Sequence, residues 1–407
     1  MYDLLKGLRI VEGASFIAAP LCGLTFVQLG ADVIRFDPIG GGPDFRRWPL
    51  APSGSSFYWE GLNKGKRSIA IDVDRPEGRE LAVALSTAPG PQRGCFLTNY
   101  PAKSFLSHGN LCARRADLIT VRVTGSSDGR NALDYTVNCA AGYPQMTGRS
   151  DDDRPVNHVL PAWDIAAGLT AAVSLLAALQ RRNVSGEGAE IKVPLSNIAF
   201  STLSTLGNIG EVSTAGRDRQ RFGNALFGSF GRDFETSDGH RIMIVAITRR
   251  QWSGLVAALH LTASVDDLQR RLNVDFTSDE SARFVHREPL FALVEEAVGK
   301  HRFGELPDVF DHFAVCWGEY QTVKQALDAD LRLSSANPMF ERVSQPSGET
   351  YLAAGFPGVF AGLERVPVRA APRLGANTDE ILADVLGLSN AEIGRLHDAR
   401  IVSGASS

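Results

Sequence analysis

The stretch Leu8–Phe36 reads LRIVEGASFIAAPLCGLTFVQLGADVIRF and decides the class of fold. Its two ends, LRIVE (8–12) and DVIRF (32–36), are short apolar runs rich in Ile and Val, which is typical of buried strands. The segment between them predicts a helix over 16–29 that Ser15 would cap. A strand, a helix and a second strand in this order predict two parallel strands joined by a crossover helix.

The same alternation continues through the first half of the chain. Further buried strands are predicted at 94–98, 118–123 and 189–193, with helices over 76–85 and 164–182. We therefore predict an α/β fold in which a large domain contains a Rossmann-like parallel sheet with crossover helices.

The amino-acid composition changes near residue 215. A stretch rich in Arg, Gly and Phe precedes a hairpin signal at Asp238-Gly239. We predict a large α/β domain over 1–215, a smaller α+β domain over 216–330, and a C-terminal return segment over 331–407 that completes the large domain.

Charge and cysteine content exclude several classes of function. The 407 residues carry 42 Lys and Arg against 46 Asp and Glu, a net charge of −4, which does not favour nucleic acid as a partner. The five cysteines form no CxxC pair and the eight histidines form no HExxH motif, so we expect no disulfides, no metal site and a reduced, cytoplasmic protein. The longest apolar run, Ile165–Leu179, is shorter than a membrane span, so we expect a buried core helix there and no membrane contact.

Two short motifs resemble catalytic loops but lack an essential feature. Gly125–Gly129 fits G-x-S-x-G, yet no helix signal follows it, as a nucleophile elbow requires. Gly61–Ser68 has one residue too few between its glycines for a phosphate loop. Its basic residues Lys64, Lys66 and Arg67 are either a grip for a phosphate or a solvated charge cluster.

Asp164 is the strongest candidate for a catalytic residue. It follows NHVLPAW (157–163) and begins an Ala-rich helix, which places it at the predicted N-cap position. Capping alone would explain an Asp there. A carboxylate at a helix N-terminus is also stabilised as the anion, and beside the apolar Pro161 and Trp163 it could act as a nucleophile.

A set of motifs spread along the whole chain resembles the class III CoA-transferase family. These motifs are Asp37-Pro38-Ile39-Gly40, NKGKRS (63–68), Asn99-Tyr100-Pro101, Asp164 before its helix, Gly223-Asn224, Ser237-Asp238-Gly239 with Gln251-Trp252, Asn337–Phe340 and Ala371–Gly375. The longer strings FDPIGGG, GLNKGKRSIAID and NHVLPAWDI most resemble members that move CoA between the two carboxyl groups of one dicarboxylic acid.

The resemblance implies roles for individual residues. Asp164 matches the family's catalytic nucleophile, and the substrate is then a CoA thioester, with no further cofactor. The resemblance also implies a homodimer of interlocked chains. The other implied substrate-binding residues are Phe16, Ile17 and Ala18 in the acyl pocket, Lys66, Arg67, Asn99 and Tyr100 near CoA, His158, and Gly223, Asn224 and Gly228 in a loop of the small domain that closes over the site.

The sequence departs from the family pattern at several positions. Ile17 replaces the Gln of oxalate-handling members. Leu133 replaces the His that racemases of the family use as a second base, which weakens a racemase interpretation. Pro101 stands where many members have Arg, so Lys103 or Arg46-Arg47 would serve the CoA phosphates.

Several functions stay open on the sequence alone. Besides transfer within one molecule, the chain could be an intermolecular transferase for another dicarboxylic acid, an α-methylacyl-CoA racemase, or a protein that only binds acyl-CoA. The free carboxylate of a dicarboxylic substrate needs a cationic contact. The candidates for that contact are His158, Arg46, Arg47, Arg221 and Arg232.

Overall fold

The computed structural model of the chain describes residues 1–405. Within that range the strands are β1 (Arg9–Gly13), β2 (Asp32–Asp37), β3 (Arg67–Ile71), β4 (Cys95–Thr98), β5 (Ile119–Thr124), β6 (Ala189–Pro194), β7 (Phe230–Glu235), β8 (Arg241–Ala246), β9 (Cys316–Glu319), β10 (Phe340–Ser344), β11 (Thr350–Ala354) and β12 (Val402–Ser403). The α-helices are α1 (Ala18–Gln28), α2 (Phe57–Asn63), α3 (Pro76–Ser86), α4 (His108–Cys112), α5 (Asp134–Ala140), α6 (Tyr143–Met146), α7 (Ala162–Ser185), α8 (Leu195–Thr205), α9 (Asn208–Ala215), α10 (Arg249–Ala258), α11 (Thr262–Leu272), α12 (Glu280–Val285), α13 (Arg287–Val298), α14 (Pro307–His312), α15 (Val323–Ala329), α16 (Thr378–Leu386) and α17 (Asn390–Asp398).

Seven strands form one sheet in the order β12-β3-β2-β1-β4-β5-β6. The strands β1 to β6 pair in parallel, while β12 pairs antiparallel with β3. The central strand β1 has neighbours on both sides, so that Val11 pairs with Ile34 of β2 and with Phe96 of β4. The order 3-2-1-4-5-6 is that of doubly wound nucleotide-binding sheets. The structure therefore confirms the predicted α/β fold with a Rossmann-like parallel sheet.

The described chain contains two compact units. The first comprises residues 1–141, 159–210 and the chain from 330 onwards, and it holds the seven-stranded sheet and the β10–β11 hairpin. The second comprises residues 142–158 and 211–329. The segment 142–158 thus groups with the smaller unit although it lies far ahead of the rest of that unit in the chain.

The second unit has its own hydrophobic core. Its antiparallel sheet β7-β8-β9 is covered by helices. Phe230 lies at the centre of this core, with the ring of Trp252 at 5.2 Å and that of Phe291 at 5.4 Å between centroids. This arrangement agrees with the α+β character that the sequence predicts for this region.

The C-terminal part of the first unit is anchored to β3. Asn377 Oδ1 accepts a hydrogen bond from the Ser68 N–H at 3.0 Å, and Asn377 Nδ2 donates to Glu380 at 3.0 Å. The two hydrogen bonds of Asn377 account for a short side chain with both a donor and an acceptor at this position.

The helix α1 begins two residues later than predicted, and Ser15 does not cap it. Phe16 has φ of 68°, a left-handed conformation that cannot begin an α-helix, and Ile17 occupies the N-cap position without a side-chain cap. The backbone of Ser15 instead bonds to the side chain of Asn99. The predicted capping role of Ser15 is therefore wrong, because a tertiary contact overrides the local signal.

The helix α7 is longer than the apolar run in the sequence suggested. Among the helices of residues 1–405 it is the one long and apolar enough to cross a membrane by length and composition, a test that core helices also pass. The expectation that this segment is too short for a span is thus not met. However, α7 packs against α1 and buries Ala167, Ala171 and Leu175 on one face, while Leu169 and Val173 on the other face are exposed. The expected buried core helix is therefore found for one face only.

Candidate active site

The loops that follow β1 and β4 meet where the order of the sheet reverses. Ligands of doubly wound sheets bind at this point, beyond the carboxyl ends of the strands. Asn99, directly after β4, accepts the Ser15 N–H through Oδ1 at 3.2 Å and donates through Nδ2 to the Ser15 carbonyl at 2.8 Å. Phe16, Ile17 and Ala18 follow Ser15 and so lie at the expected binding edge.

Five charged side chains beneath these loops form a group that is almost closed to solvent. We call Glu12, Arg35, Asp37, Asp44 and Lys66 the buried ion cluster. Lys66 Nζ donates to both oxygens of Glu12 at 2.8 and 2.9 Å and to a backbone carbonyl of α1 at 3.0 Å. Arg35 donates to Asp37 through two nitrogens, both at 2.9 Å, and to Asp44 at 2.9 Å. These close contacts offset much of the cost of burying the charges.

The buried ion cluster reaches the binding edge through Asp44. While Oδ1 of Asp44 accepts from Arg35, its Oδ2 accepts the Phe16 N–H at 3.1 Å. Phe16 has the left-handed conformation described above, which costs a residue other than glycine about 1–2 kcal/mol. The hydrogen bonds between Asn99 and Ser15 and from Phe16 to Asp44 hold the backbone in this conformation. Backbone strain of this kind is concentrated at functional sites.

Close packing of α7 on α1 brings Asp164 to the same edge. Gly168 lies one turn after Asp164, on the same face of α7. A Cβ at Gly168 would lie 2.7 Å from the Ala18 carbonyl oxygen and 3.1 Å from Leu21 Cβ, so a larger residue would push the helices apart. The contact therefore sets Asp164 beside the start of α1.

The N-terminus of α7 is capped by a carboxylate from α5. Asp134 Oδ2 accepts the N–H groups of Trp163 at 2.7 Å and of Asp164 at 3.0 Å. Asp164 is the third residue of α7, which begins at Ala162 after Pro161. The predicted N-cap position of Asp164 is therefore wrong. Because Asp134 supplies the cap, the carboxylate of Asp164 is not needed for it.

The Asp164 carboxyl group holds its proton to a higher pH than an ordinary Asp. Burial, and after it the negative charge of Asp134, raises the pKa of Asp164 to about 6, while Arg47 opposes the rise. The sequence led us to expect that the helix N-terminus would favour the anion; in the structure, desolvation outweighs that effect. Near neutral pH the group is still mostly a carboxylate, and it is a poorly solvated one, which suits a nucleophile.

Arg47 and Tyr58 complete the surroundings of Asp164. The guanidinium carbon of Arg47 lies 5.6 Å from the centroid of the Phe16 ring and 5.3 Å from that of the Tyr58 ring. Burial and the nearby charge of Asp164 raise the pKa of the Tyr58 hydroxyl, which Arg47 lowers in part. The hydroxyl of Tyr58 therefore stays protonated and can donate a hydrogen bond.

The two basic residues predicted near CoA, Lys66 and Arg67, lie in different environments. The side chain of Lys66 is fully covered within the buried ion cluster, so its ammonium group does not face solvent. Arg67, the next residue along the chain, donates to Asp32 at 2.9 Å and to Glu380 at 3.0 Å. Each cation is engaged by carboxylates of its own, so the two do not grip one phosphate together. Direct contact between Lys66 and a phosphate has no support in this geometry.

Six of the predicted residues belong to the second unit. They are His158, Arg221, Gly223, Asn224, Gly228 and Arg232. Arg221 donates to four backbone carbonyls of the loop 145–154. Arg232 pairs with Glu295 at 3.0 Å and lies over two phenylalanine rings. Both guanidinium groups are thus engaged within their own unit.

Sequence reasoning missed Asp44, Tyr58 and Asp134. Only Asp134 carried a visible signal, since it directly follows Leu133, the position that we compared with the racemase histidine. Asp44 and Tyr58 lie outside every motif that we examined. Among residues 1–405, no group of three His, Cys, Asp or Glu side chains could hold a metal ion.

The fold is thus a doubly wound α/β sheet with a poorly solvated carboxylate beyond its switch point, the place where such folds bind their ligands. The chain belongs to CoA-transferase family III, whose model matches residues 5–378. This confirms the resemblance found in the sequence motifs.

Relatives and solved structures support the family along the whole chain. The chain is 49% identical over 405 residues to a 2-methylfumaryl-CoA isomerase from Chloroflexus aurantiacus, with 99% of each chain covered. It is 26% identical over 420 residues to the human succinyl-CoA:glutarate CoA-transferase, covering 98% of this chain and 90% of that protein. A crystal structure of a CAIB/BAIF family protein from Brucella suis has a TM-score of 0.76 at 25% identity, covering 95% of this chain and 100% of that one.

Proposed function

We propose that this chain interconverts 2-methylfumaryl-CoA (mesaconyl-C1-CoA) and 3-methylfumaryl-CoA (mesaconyl-C4-CoA) by moving CoA between the two carboxyl groups of one dicarboxylic acid. The similarity of 49% over 99% of both chains to a protein named 2-methylfumaryl-CoA isomerase supports this substrate. The observation that carries the chemistry is Asp164, a half-buried carboxylate with a pKa of about 6 at the binding edge of the sheet.

A carboxylate suits this reaction better than a hydroxyl nucleophile. A serine would form an ordinary ester, which lies below a thioester in energy and would trap the acyl group. A carboxylate forms a mixed anhydride, which keeps the acyl group activated so that it can return to a thiol. The type of residue at position 164 is therefore the one that reversible CoA transfer requires.

The reaction proceeds in two symmetrical halves. The Asp164 carboxylate attacks the C1 thioester, the C–S bond breaks, and CoA leaves as its thiolate. The thiolate attacks the Asp164 carbonyl of the anhydride, which gives an enzyme–CoA thioester and free 2-methylfumarate. The C4 carboxylate then attacks that thioester and again expels the thiolate, which attacks the C4 carbonyl and regenerates the Asp164 carboxylate. No net proton is taken up or released.

Each step passes through a tetrahedral oxyanion that needs hydrogen-bond donors. The N–H groups of Trp163 and Asp164 at the start of α7 already bond to Asp134, so they are poor candidates. We propose the loop 223–231, with Gly223, Asn224 and Gly228, as the source of donors and as the cover that keeps water from the anhydride.

Mass spectrometry of the intact protein tests the nucleophile. After incubation with 2-methylfumaryl-CoA, we expect the unaltered protein to gain the mass of a CoA thioester and the variant Asp164→Ala to gain none. Cleavage of the adduct by hydroxylamine, followed by peptide mapping, should place the modification on Asp164. An unmodified protein that nevertheless forms the isomer would contradict the covalent mechanism.

Isotope labelling separates the proposed isomerase from its alternatives. With labelled free 2-methylfumarate and unlabelled 2-methylfumaryl-CoA, we expect the isomer to form without label. Rapid entry of label into the thioester pool would indicate an intermolecular transferase instead. Incorporation of solvent deuterium at an α-carbon would indicate a racemase.

We also propose that the enzyme is a homodimer. On α7, the apolar side chains of Leu169, Val173 and Leu176 are exposed at helical spacing, and Phe200 of α8 adds to this apolar surface. A second copy of the chain would cover it. Sedimentation should give twice the chain mass of 43.9 kDa, and Val173→Asp should shift the protein toward the monomer; a monomeric unaltered protein would contradict this.

The remaining expectations form part of the same proposal. CoA is bound by the large α/β region of residues 1–215. Asn99, Tyr100 and Arg67 lie near the CoA group of the substrate. All five cysteines are free thiols, which fits the expected cytoplasmic location.

A further inference from the structure

The proposed reaction creates an electrostatic difficulty at the binding edge. Once CoA has moved to Asp164, the free 2-methylfumarate carries two negative charges. Asp44 and Asp134 both contribute negative charge near this point, and like charges in a poorly solvated site repel strongly. The dicarboxylate can stay for the second half of the reaction only if a cation holds it.

Arg47 is a cation whose charge reaches Asp164. Its charge acts on the pKa of both Asp164 and Tyr58. Within residues 1–405 its guanidinium group is placed by two aromatic faces, those of Phe16 and Tyr58, at 5.6 and 5.3 Å. Stacking of this kind fixes the plane of the guanidinium group while leaving its N–H donors for a ligand.

The three other candidate arginines have different surroundings. Arg46 lines a cavity of about 490 Å³ whose wall also contains Glu60 and Arg373. Arg221 donates to backbone carbonyls and Arg232 pairs with Glu295, so both guanidinium groups already have partners. Among the four arginines, Arg47 is therefore the strongest candidate for contact with the substrate carboxylate.

The hydroxyl of Tyr58 supplies a second donor. Its oxygen is buried and has no hydrogen-bond partner in the part of the chain that the structure describes. Buried polar atoms without a partner are rare in folded proteins, and each calls for an explanation. A carboxylate bound by Arg47 would accept this hydrogen bond, because the two side chains are in contact.

We propose that Arg47 and Tyr58 together bind the carboxylate of the substrate that is not joined to CoA, and that they retain the free dicarboxylate between the two halves of the reaction. The inference rests on the proposed function and adds to it the residues that make the transfer intramolecular. It assigns these side chains a role in specificity, since a monocarboxylic acyl-CoA lacks the group that they hold.

The test follows the fate of the acid in single-residue variants. The unaltered protein, Arg47→Gln, Arg47→Lys and Tyr58→Phe are given 2-methylfumaryl-CoA, and the isomer, free 2-methylfumarate and the enzyme–CoA adduct are measured together. For Arg47→Gln we expect kcat/KM to fall about 10- to 100-fold, as for loss of a charged hydrogen bond, and the ratio of released acid to isomer to rise. For Tyr58→Phe we expect a smaller loss of about 5- to 10-fold, with the same rise in released acid.

The variant Arg47→Lys distinguishes the paired N–H donors of a guanidinium group from a positive charge alone. It keeps the positive charge but loses the paired N–H groups, so its ratio of acid to isomer should lie between those of the unaltered protein and Arg47→Gln. Arg79→Gln is the matched control, because Arg79 is an exposed arginine that stacks on Phe105 at 5.7 Å. Its ratio should equal that of the unaltered protein.

The outcomes separate this inference from the proposed function. If the unaltered protein forms neither adduct nor isomer, the proposed function itself fails. If it forms both, but the variants lose isomer without releasing acid or keep the unaltered ratio, then Arg47 and Tyr58 do not retain the dicarboxylate. Thermal melting of each variant identifies any loss that comes from unfolding.

Discussion

The chain holds carboxylates in two contrasting ways within its first unit. In the buried ion cluster, Glu12 and Asp37 each have a cation within 2.9 Å. At the start of α7, Asp134 is occupied by backbone N–H groups and Asp164 feels Arg47 only as a nearby charge. Carboxylates paired with nearby cations stabilise the fold, whereas a carboxylate without a close cation stays available to react. Carboxylates are thus held by cations in one place, and in the other a carboxylate is left available for the chemistry that we propose.

The two regions are connected by the backbone at Phe16. Asp44 belongs to the buried ion cluster, yet it accepts the Phe16 N–H and thereby holds the left-handed residue that lies just before α1. The cluster therefore helps to position the residues around Asp164. It holds the backbone just before α1, and α7, which carries Asp164, packs on α1.

The largest expected effect comes from removing the reactive carboxylate. Asp164→Asn keeps the shape of the side chain but cannot form an anhydride, so we expect isomerisation to fall by at least about 10⁴-fold. Steady-state assays with 2-methylfumaryl-CoA measure the loss, and circular dichroism checks that the fold is retained. Activity within tenfold of the unaltered protein would exclude Asp164 as the nucleophile.

Removing a cation from the buried ion cluster should affect stability instead. Lys66→Met leaves Glu12 buried without its closest partner, so we expect the free energy of unfolding to fall by about 3–5 kcal/mol. Lys64→Met is the matched control. Lys64 is half-buried, and burial is the cause that lowers its pKa.

The control should change the free energy of unfolding by no more than about 1 kcal/mol. Urea denaturation of the two variants at one protein concentration makes the comparison. Equal losses for Lys64→Met and Lys66→Met would show that the Glu12 contact does not distinguish the two lysines.

Much of the fold could be predicted because its signals are local. The apolar runs at 8–12 and 32–36 and the helix between them predict a parallel sheet without any knowledge of the rest of the chain. The predicted start of α1 was wrong because Phe16 is left-handed. The hydrogen bonds that hold this part of the backbone come from Asn99 and Asp44, which are distant in the sequence. Tertiary contacts of this kind leave no periodic pattern to detect.

The candidate site was predictable only in part, for a related reason. The motif around Asp164 identifies the reactive side chain, but its pKa depends on burial and on Asp134, which lies 30 residues earlier. The cations could not be ranked from sequence, since Lys66, Arg67 and Arg47 are chemically alike until their partners are known. Their burial and their partners, rather than their type, separate a structural lysine from an arginine that is available to a ligand.

A smaller effect should appear when stability is measured against pH. Asp164 has a pKa of about 6 in the folded chain and 3.8 as a free side chain, so between about pH 4 and 6 the folded state holds more protons than the unfolded state. The free energy of unfolding therefore falls as pH rises through this window. Asp164→Asn removes the dependence and should be more stable than the unaltered protein by about 1–2 kcal/mol at pH 8.

The gain should be much smaller at pH 4, where the unaltered carboxyl group is protonated in the folded state and partly protonated in the unfolded state. Denaturation curves at pH 4 and pH 8 measure the difference. Asp74→Asn, a substitution at an exposed aspartate, should show the same stability change at both pH values. A gain for Asp164→Asn that does not depend on pH would mean that burial of the charge is not its cause.

The smallest expected effect concerns the charge that caps α7. Asp134→Asn keeps an oxygen that can accept the N–H groups of Trp163 and Asp164 but removes the negative charge that raises the pKa of Asp164. The rate of adduct formation rises with the fraction of Asp164 that is ionised. We therefore expect its midpoint, near pH 6 in the unaltered protein, to move down by at most about one pH unit, because burial is the larger cause of the shift and remains in place. Rapid-quench measurement of the adduct between pH 4.5 and 8 tests this, and an unchanged or higher midpoint would show that the charge of Asp134 does not tune the nucleophile.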